Sequence, residues 1–418
     1  MALRAIAHGA TDVGRKRRRN EDAFLIDDEL GLYAVADGMG GHSGGDVASK
    51  RALEVVRAAI AARRDLLQAF AADGSAEPRK HAQLLVEQAI QAACADLLEM
   101  ARQNPALSGM GSTFVCLLVA GDRGIVANVG DSRLYLARKD SAHALTEDHT
   151  LIAAQIKSGQ MAREDAARSP FKGVLTRALG QHESVQVDTL VVDLVPGDRL
   201  MLCSDGLHNY LRDEDTQAML VGGTTGSLAD ELVRFANAQG GQDNITAVVI
   251  QMEGQQVEEP EALSRVDALQ RIPLFAYLGY REISEVLAIS QTRSFDAGAL
   301  IVKEGDPGGD LFIVLQGQVV VEAGGMGITT LAPGGQFGEM GLVDAAPRSA
   351  SVRAMEATKV MVIPRADMMG LMHREPVVGV KLLWVLAQSL SQRLRATNLE
   401  LSGAIAASSI EEAPFSRA

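Results

Sequence analysis

The strongest constraint on the fold is a break in periodicity near the middle of the chain. The stretch from Gln251 to Asp267, QMEGQQVEEPEALSRVD, is acidic, rich in glutamine and interrupted by Pro260, and it has neither helical nor strand periodicity. At 418 residues the chain also exceeds the usual size of one domain. We therefore expect a first domain over residues 1–252, an acidic linker over 253–267, a second domain over 268–396 and a flexible tail over 397–418.

Composition excludes several classes of protein. An apolar share of 47% is too high for a disordered chain, and a net charge of −13 disfavours binding to nucleic acid or to an anionic membrane. We find no apolar run near the roughly 18 residues of a membrane span and no signal-peptide core. The three cysteines lack the spacing of a disulfide framework or a zinc site, which favours a reducing compartment. We expect a cytoplasmic protein with neither a nucleic-acid nor a membrane partner.

The first domain combines long helices with short strands. Helical periodicity covers roughly Asp46 to Phe70 and Lys80 to Gln103. Short β-rich runs with turn signals follow, namely STFVCLLVA, GIVANV, SRLYLAR, VQVDTLVVDL, RLMLC and NITAVVI. Helices segregated from consecutive strands predict an α+β fold with largely antiparallel sheets.

The second domain has a different rhythm. Short strands separated by glycine-rich turns, DAGALIVKEGDPGGDLFIVLQGQVVVEAGGMG, predict a small β-roll. An amphipathic helix is predicted from about Pro376 to Arg395. Its apolar seam either packs within the molecule, which we favour, or forms a dimer helix; the seam consists of Val377, Val380, Leu383, Ala387 and Leu390.

Acidic residues recur in one context in the first domain, at the polar end of an apolar strand or in the turn beyond it. They are Glu21, Asp22, Asp37, Asp131, Asp205 and Asp243. Each alone is typical of a turn, but turns at one edge of a sandwich bring their carboxylates together. Two carboxylates about 4 Å apart repel by on the order of 4 kcal/mol at an effective dielectric constant near 20, so such a cluster needs cations. Oxygen donors without His or Cys select magnesium or manganese.

A basic run, Arg15 to Arg19, precedes the first carboxylates. One interpretation is a solvated loop. Another is that one guanidinium binds phosphate oxygens beside the metal cluster in bidentate fashion. A metal pair with an arginine indicates phosphate-ester hydrolysis.

Eight ordered blocks between Thr11 and Ile250 carry a family resemblance: TDVGRKRRRNEDAF, VADGMGGHSGGDVAS, GSTF, NVGDSRLY, LTEDHTL, LTRALG, GDRLMLCSDGL and QDNITAVVI. They resemble the metal-dependent protein serine/threonine phosphatases of the type 2C (PPM) family in its bacterial form. The resemblance implies an antiparallel β-sandwich flanked by helix pairs. It also implies phosphorylated serine/threonine proteins as substrates and a cognate serine/threonine kinase as partner.

The resemblance assigns roles to individual residues. Asp37 would bridge two metals, with the Gly38 carbonyl on one and Asp205 and Asp243 on the other. Glu21 and Asp22 would lie on the first-metal side, where Asp22 acts partly through water, and Asp131 would share a third ion with Asp205. Arg17 would clamp the phosphate, and a water bridging the metals would attack phosphorus. The segment from His149 to Thr176 corresponds to a variable flap beside the cleft.

Three points stay open at the first domain. Eukaryotic relatives have a histidine after the metal-binding Asp-Gly, proposed there as general acid, whereas this chain has Met39, with His42 nearby. Gly41–Gly45 also fits GxSxG, the nucleophile elbow of serine hydrolases. A catalytically inactive, nucleotide-responsive scaffold is a further alternative, although no metal carboxylate is missing.

In the second domain, QFGEMGLVDAAPRSASV contains Gly-Glu followed by Pro-Arg-Ser-Ala. A short helix beginning near Phe337 would present backbone N–H groups to an anion. Residues from about Leu269 to Arg395 resemble the cyclic-nucleotide-binding domain of the catabolite activator protein, cyclic-nucleotide-dependent kinases and gated channels. The resemblance implies that Glu339 binds the ribose 2′-hydroxyl and Arg348 the cyclic phosphate, with Ser349 and Gly338 adding hydrogen bonds. Ser349 favours cAMP over cGMP as the ligand. Because this domain follows the predicted phosphatase domain in one chain, we expect the bound cyclic nucleotide to regulate the phosphatase.

Overall fold

The computed structural model describes residues 3–40, 44–73, 75–222, 225–254, 266, 269, 272–343, 346–388, 390–392 and 395. The chain forms two compact units that divide between residues 264 and 265. His42 and Ser43 of the GxSxG motif, most of the expected linker and the whole tail over 397–418 lie outside the described residues. Among the helices of the described part, none has both the length and the apolar character needed to cross a bilayer.

The first unit is built on two antiparallel sheets. Its strands are β1 (Arg4–Asp12), β2 (Asp22–Asp27), β3 (Leu32–Met39), β4 (Gly111–Ser112), β5 (Phe114–Ala120), β6 (Arg123–Val129), β7 (Arg133–Arg138), β8 (Ser141–Ala144), β9 (Asp188–Asp193), β10 (Arg199–Cys203) and β11 (Ile245–Glu253). One sheet has the order β1-β11-β10-β7-β8 and the other the order β2-β3-β5-β6-β9, with β4 paired to β3.

Helices accompany both sheets of this unit. They are α1 (Gly45–Ala61), α2 (Arg64–Ala72), α3 (Ala76–Gln103), α4 (Leu151–Lys157), α5 (Asp205–His208), α6 (Asp213–Gly222) and α7 (Thr225–Ala238), with 3₁₀ turns at Pro105–Leu107 and Arg163–Arg168. The prediction of one continuous helix from Asp46 to Phe70 is wrong in extent, because the helix is interrupted between the end of α1 and the start of α2. Apolar spacing continues across the break, so the sequence pattern does not mark it.

Strand periodicity explains the layering. Alternate residues of a strand face opposite sides of its sheet. In β3, Leu32 and Ala34 join the apolar cluster formed with α1, α2 and α3, whereas the intervening Tyr33 and Val35 are equally buried on the other face. Strands β2 and β3 contact β11 of the other sheet, and β11 packs against α7. The predicted antiparallel sandwich flanked by helices is confirmed.

The second unit is the predicted β-roll. Its strands are β12 (Gln291–Phe295), β13 (Leu300–Val302), β14 (Leu311–Gln316), β15 (Val319–Ala323), β16 (Met326–Leu331), β17 (Gln336–Phe337), β18 (Ser351–Ala354) and β19 (Thr358–Ile363). They form two four-stranded sheets, β12-β19-β14-β17 and β13-β18-β15-β16. Valine and phenylalanine side chains fill the core between them, and the Phe312 and Phe337 rings stack with centroids 4.9 Å apart.

The helices of this unit correct two expectations. They are α8 (Tyr280–Ala288), α9 (Met340–Val343), α10 (Arg365–Arg374) and a further helical stretch over 376–388, after a 3₁₀ turn at Pro273–Phe275. The short helix begins at Met340 rather than near Phe337, because Phe337 ends β17. In the helix after Glu375, the predicted seam residues Val380 and Leu383 are exposed, by 68% and 51%. A second apolar stripe is buried instead and consists of Val378, Leu382, Val385 and Leu386.

Candidate active site and nucleotide pocket

The predicted carboxylates converge at one end of the sandwich, in a cleft of about 690 Å³. Their positions follow from the strands that carry them, since Asp37 lies in β3, Asp131 follows β6, Asp205 begins α5 after β10 and Asp243 precedes β11. The predicted residues that line the cleft are Arg17, Glu21, Asp37, Gly38, Asp131, Asp205 and Asp243. The Asp37 and Asp205 carboxyl groups lie close enough that, beyond the effect of burial, Asp205 raises the pKa of Asp37. Side chains more than 200 residues apart in the chain therefore share one site.

Asp22 lies behind the cleft rather than on its surface. It is 5% exposed and is not among the lining residues. One carboxylate oxygen accepts hydrogen bonds from the Ser204 and Thr246 hydroxyls, each at 2.7 Å. The other oxygen, Oδ1, is buried without a partner. The other predicted carboxylates line the cleft, whereas Asp22 does not. The water-mediated role of Asp22 stays a prediction.

The carboxyl groups have raised pKa values. Burial, reinforced by neighbouring carboxylates, raises the pKa of Asp37 well above its usual value and that of Asp131 to about 7. Burial likewise raises the pKa of Asp22 to about 7, against the effect of its two hydroxyl donors. The pKa of Asp205 is raised by burial and by Asp243. Such a cluster favours protonation or bound cations over bare charge.

The donor set fits hard divalent ions. Asp205, like Asp22, has a buried Oδ1 atom without a partner in the structure, and a buried carboxylate oxygen is costly to leave unpaired. The available donors are carboxylates and a backbone carbonyl, which suit magnesium or manganese. In the described ranges, no three His, Cys, Asp or Glu side chains are spaced as a completed metal site. One expected donor, the Gly38 carbonyl, belongs to the backbone, so side chains alone would not complete the proposed ligand set.

Two glycines allow the close packing of this region. A Cβ on Gly38 would collide with the Gly45 carbonyl, and one on Gly45 would lie 2.7 Å from the Glu21 carboxyl carbon. The Gly38 amide also donates to the Glu21 carbonyl at 3.1 Å. The end of β3, the start of α1 and the Glu21 turn can approach only because these side chains are absent.

Arg17 reaches into the cleft from the basic run. Its Nη2 atom bonds Asp243 Oδ2 at 2.7 Å, and its side chain is 53% exposed. The guanidinium is therefore held by one predicted ligand while its remaining donors are open to a ligand in the cleft. Arg15, Arg18 and Arg19 are exposed and do not line the cleft.

Several residues that line the cleft were not predicted from the sequence. They are Thr113, Arg177, Gln181, His182 and Asn244. Thr113 Oγ1 accepts the Asp37 amide at 3.0 Å, and Asn244 Oδ1 accepts the Glu21 amide at 2.9 Å. Both residues belong to the family-like blocks GSTF and QDNITAVVI, and this membership could have indicated that they lie near the site. His182 is an exposed imidazole on the cleft wall, and Met39 also lines the cleft.

The predicted flap borders the cleft. Its base is closed by hydrogen bonds from the Thr176 amide to the His149 carbonyl, at 2.8 Å, and from the Leu151 amide to the Val174 carbonyl, at 2.9 Å. Leu175 and Thr176 line the cleft itself. The C-terminal end of the predicted flap therefore forms part of the cleft wall.

The second unit has its own cavity, of about 460 Å³. All four residues predicted to bind a nucleotide line it, namely Gly338, Glu339, Arg348 and Ser349. Arg348 Nη2 donates to the Asp310 carbonyl at 2.9 Å, and its guanidinium carbon lies 5.5 Å from the centre of the Phe312 ring. Gly338 has φ +83°, and a Cβ there would lie 2.6 Å from Arg348 Nη1. The glycine thus makes room for the arginine.

The fold and the two cavities define a phosphatase unit followed by a nucleotide-binding unit. The protein phosphatase 2C family profile matches residues 13–248, and the cyclic nucleotide-binding domain profile matches residues 292–375. The chain belongs to the protein phosphatase 2C family and is a protein serine/threonine phosphatase with a C-terminal cyclic nucleotide-binding domain.

Similar proteins agree with this assignment. The serine/threonine phosphatase stp of Listeria innocua is 38% identical over 245 residues, covering 58% of this chain and 93% of the relative. The solved structure of the serine/threonine phosphatase PstP/Ppp of Mycobacterium tuberculosis is 31% identical, with a TM-score of 0.53, covering 61% of this chain and 100% of that one. A structure of the PstP catalytic domain in complex with two manganese ions is 28% identical, with a TM-score of 0.51, covering 60% and 100%.

Proposed function

We propose that this phosphatase hydrolyses phosphoserine and phosphothreonine in proteins with two or three divalent cations, manganese or magnesium, and that a cyclic nucleotide in the second unit regulates it. One observation carries the catalytic part: Asp37, Asp131, Asp205 and Asp243 line a single cleft together with Arg17. The two manganese ions of the PstP complex support the metal requirement.

The residues have separate tasks in this proposal. Asp37, the Gly38 carbonyl, Asp205 and Asp243 would hold the ion pair, with Glu21 beside it. A pair of bound divalent ions supplies an activated water nucleophile and neutralises developing negative charge. Arg17 would hold the phosphoryl oxygens with the donors that Asp243 leaves open, orienting the phosphate for in-line attack.

The substrate and regulator follow from the same features. The flap residues Leu175 and Thr176, on the cleft wall, would contact the protein chain around the phosphorylated residue. A serine/threonine kinase acting on the same proteins would be the natural counterpart. In the second unit, Arg348 would exchange its carbonyl partners for the cyclic phosphate, and Ser349 favours cAMP. A cytoplasmic location completes the proposal.

The decisive experiment measures phosphate release from a phosphothreonine peptide by the full-length protein. Manganese should support turnover, a chelator should abolish it, and re-added manganese should restore it. A serine-directed phosphonate should have no effect. Inhibition by the phosphonate with indifference to the chelator would instead favour a GxSxG hydrolase, and absence of turnover under every metal condition would favour the inactive scaffold.

Regulation is tested in the same assay with saturating cAMP or cGMP. A coupling free energy of about 1–3 kcal/mol would change kcat/KM roughly 5–150-fold, in either direction. Arg348→Gln should remove the response while leaving nucleotide-free turnover unchanged. If neither nucleotide changes kcat or KM although calorimetry detects its binding, the regulatory part of the proposal is wrong.

A further inference from the structure

The turn that carries Asp131 is held from two sides by buried histidines. Gly130, with φ +104°, directs the chain from β6 into Asp131, and a Cβ there would lie 2.7 Å from the Thr113 side chain. The placement of this turn depends on the groups that bond its backbone atoms. Asn128 Nδ2 donates to the Gly130 carbonyl at 3.3 Å. His149 and His208, each only 6% exposed, also bond this backbone.

His149 binds both polar backbone atoms of Gly130. The Gly130 amide donates to His149 Nδ1 at 3.1 Å, and the His149 amide donates to the Gly130 carbonyl at 2.9 Å. Because Nδ1 accepts, a ring proton is on Nε2, which lies 3.1 Å from both Asp188 Oδ2 and Arg177 Nη1. An arginine N–H can only donate, so Nε2 donates to the carboxylate and its contact with Arg177 is not a hydrogen bond. Arg177, on the cleft wall, bonds the other Asp188 oxygen at 2.6 Å.

The same histidine closes the base of the flap. Its carbonyl accepts the Thr176 amide, as described above, and Thr176 lines the cleft. His149 is therefore joined to the Asp131 turn through its ring and its amide, and to the flap through its carbonyl. A shift of the flap base would therefore displace the turn that carries Asp131.

His208 holds the opposite side of the turn. It is the last residue of α5, the short helix that Asp205 begins. Its Nε2 atom lies 2.9 Å from the Asp131 carbonyl oxygen, which can only accept, so Nε2 donates. One short helix thus presents Asp205 to the cleft and fixes the backbone of Asp131.

We propose that His149 and His208 are positioning residues that hold the Asp131 carboxylate beside Asp205 for a third, weakly bound cation, and that His149 also couples this site to the flap. The inference rests on the proposed function, because it takes Asp131 and Asp205 to share an ion. Neither histidine lines the cleft, so neither would contact substrate.

The conservative variants separate the contacts. His208→Gln retains an N–H donor near the Nε2 position, whereas His208→Leu does not. At the other histidine, His149→Asn retains an acceptor near Nδ1 for Gly130 but loses the donor to Asp188. His149→Gln does the reverse, and Asp131→Asn serves as the reference for loss of the third cation.

The experiment measures manganese binding to the full-length variants by calorimetry, together with kcat and KM for a phosphothreonine peptide and for p-nitrophenyl phosphate. His208→Leu and His149→Gln should weaken the weakest manganese site about 10–100-fold, as loss of supporting hydrogen bonds around a metal does, and should lower kcat. The two tighter sites should not change. His208→Gln and His149→Asn should stay within about 3-fold of the wild type at the weak site. His149→Gln, which loses the ring contact to the Gly130 amide, should also raise KM for the peptide but not for p-nitrophenyl phosphate, because only the peptide reaches the flap. His149→Asn, which keeps that contact, should leave both KM values unchanged.

Several outcomes would overturn the inference. It fails if the weak site is unchanged in His208→Leu and His149→Gln, if all manganese sites weaken together with a loss of folded signal in circular dichroism, or if the conservative variants behave like the disruptive ones. A wild-type protein that hydrolyses the peptide with only two bound ions would also refute it while leaving the catalytic proposal intact. A wild-type protein without manganese-dependent turnover would refute the catalytic proposal itself.

Discussion

Asp22 and Asp37 lie directly opposite each other on the neighbouring antiparallel strands β2 and β3. Directly paired residues of antiparallel strands project to the same face of the sheet, where like charges are destabilising. Hydroxyl donors from Ser204 and Thr246 stabilise Asp22, whereas Asp37 opens into the cleft. This pairing gathers negative charge where cations can compensate for it, at the expense of stability in the metal-free protein.

Replacement of Asp37 separates activity from stability. Asp37→Ala and Asp37→Asn should each lower kcat at least about 1,000-fold, because hydrolysis requires the metal pair. The melting temperature without metal should stay the same or rise, since burial and neighbouring carboxylates raise the pKa of this group. Phosphopeptide turnover and circular dichroism measure the two effects. Asp96→Ala, which removes a partly buried partner of Arg51 outside the cleft lining, is the control and should retain activity.

Stabilisation by manganese should depend on pH. A carboxyl group with a raised pKa stabilises the fold fully below its unfolded pKa near 4, and this contribution is lost as the pH rises through the folded value. For Asp22 and Asp131 the folded pKa is about 7, so the metal-free protein should lose stability between about pH 4 and pH 7.

Manganese at 100 times its Kd adds about 2.7 kcal/mol, or roughly 5–10 °C in melting temperature. Thermal unfolding should show this shift at pH 8 and a much smaller one at pH 5, where protons compete for the ligands. An equal shift at both pH values would contradict the raised pKa values.

Arg17 should matter for substrate and not for folding. Arg17→Ala should lower kcat/KM for a phosphopeptide about 10–100-fold through loss of a charge-assisted contact to phosphate. Because its pair with Asp243 is half exposed, unfolding free energy should change by less than about 1 kcal/mol. Arg18→Ala, one residue away and outside the cleft lining, is the matched control. Similar losses in both variants would indicate a general charge effect.

Two glycines of the second unit provide a matched pair. Gly338 and Gly334 have φ +83° and +88°, so alanine is strained at both, by on the order of 1 kcal/mol. Only at Gly338 would the new Cβ also meet Arg348 and Asp310, whereas nothing lies within 4 Å at Gly334. Gly338→Ala should therefore weaken cAMP binding at least about 10-fold in calorimetry, and Gly334→Ala less than about 3-fold. Equal effects would show that Arg348 does not depend on this packing.

Breaking a buried ion pair should destabilise the first unit away from the cleft. Arg138 bonds both oxygens of Asp198, at 2.7 and 2.6 Å, and their side chains are 7% and 0% exposed. Asp198→Ala leaves the arginine buried without its counter-charge, which should cost about 3–5 kcal/mol. Hydrogen exchange in β10 of the full-length protein measures the loss. Protection within about 1 kcal/mol of the wild type would mean that water or the Asp193 carbonyl replaces the carboxylate.

Side-chain chemistry and apolar periodicity are properties of short segments of the chain, so the sequence alone predicted the features that depend on them. The order of the acidic blocks indicated a type 2C phosphatase, and the strand and helix periods predicted both sandwich and β-roll. The Gly-Glu and Arg-Ser spacing predicted four residues that line one cavity of the second unit.

Burial and proximity depend on which distant segments pack together, and only the tertiary structure decided them. It placed Asp22 behind the cleft and set His149 and His208 on either side of the Asp131 turn. It also buried Val378 and Leu382 while exposing Val380 and Leu383, because a helix with two apolar stripes does not specify by itself which one meets the core.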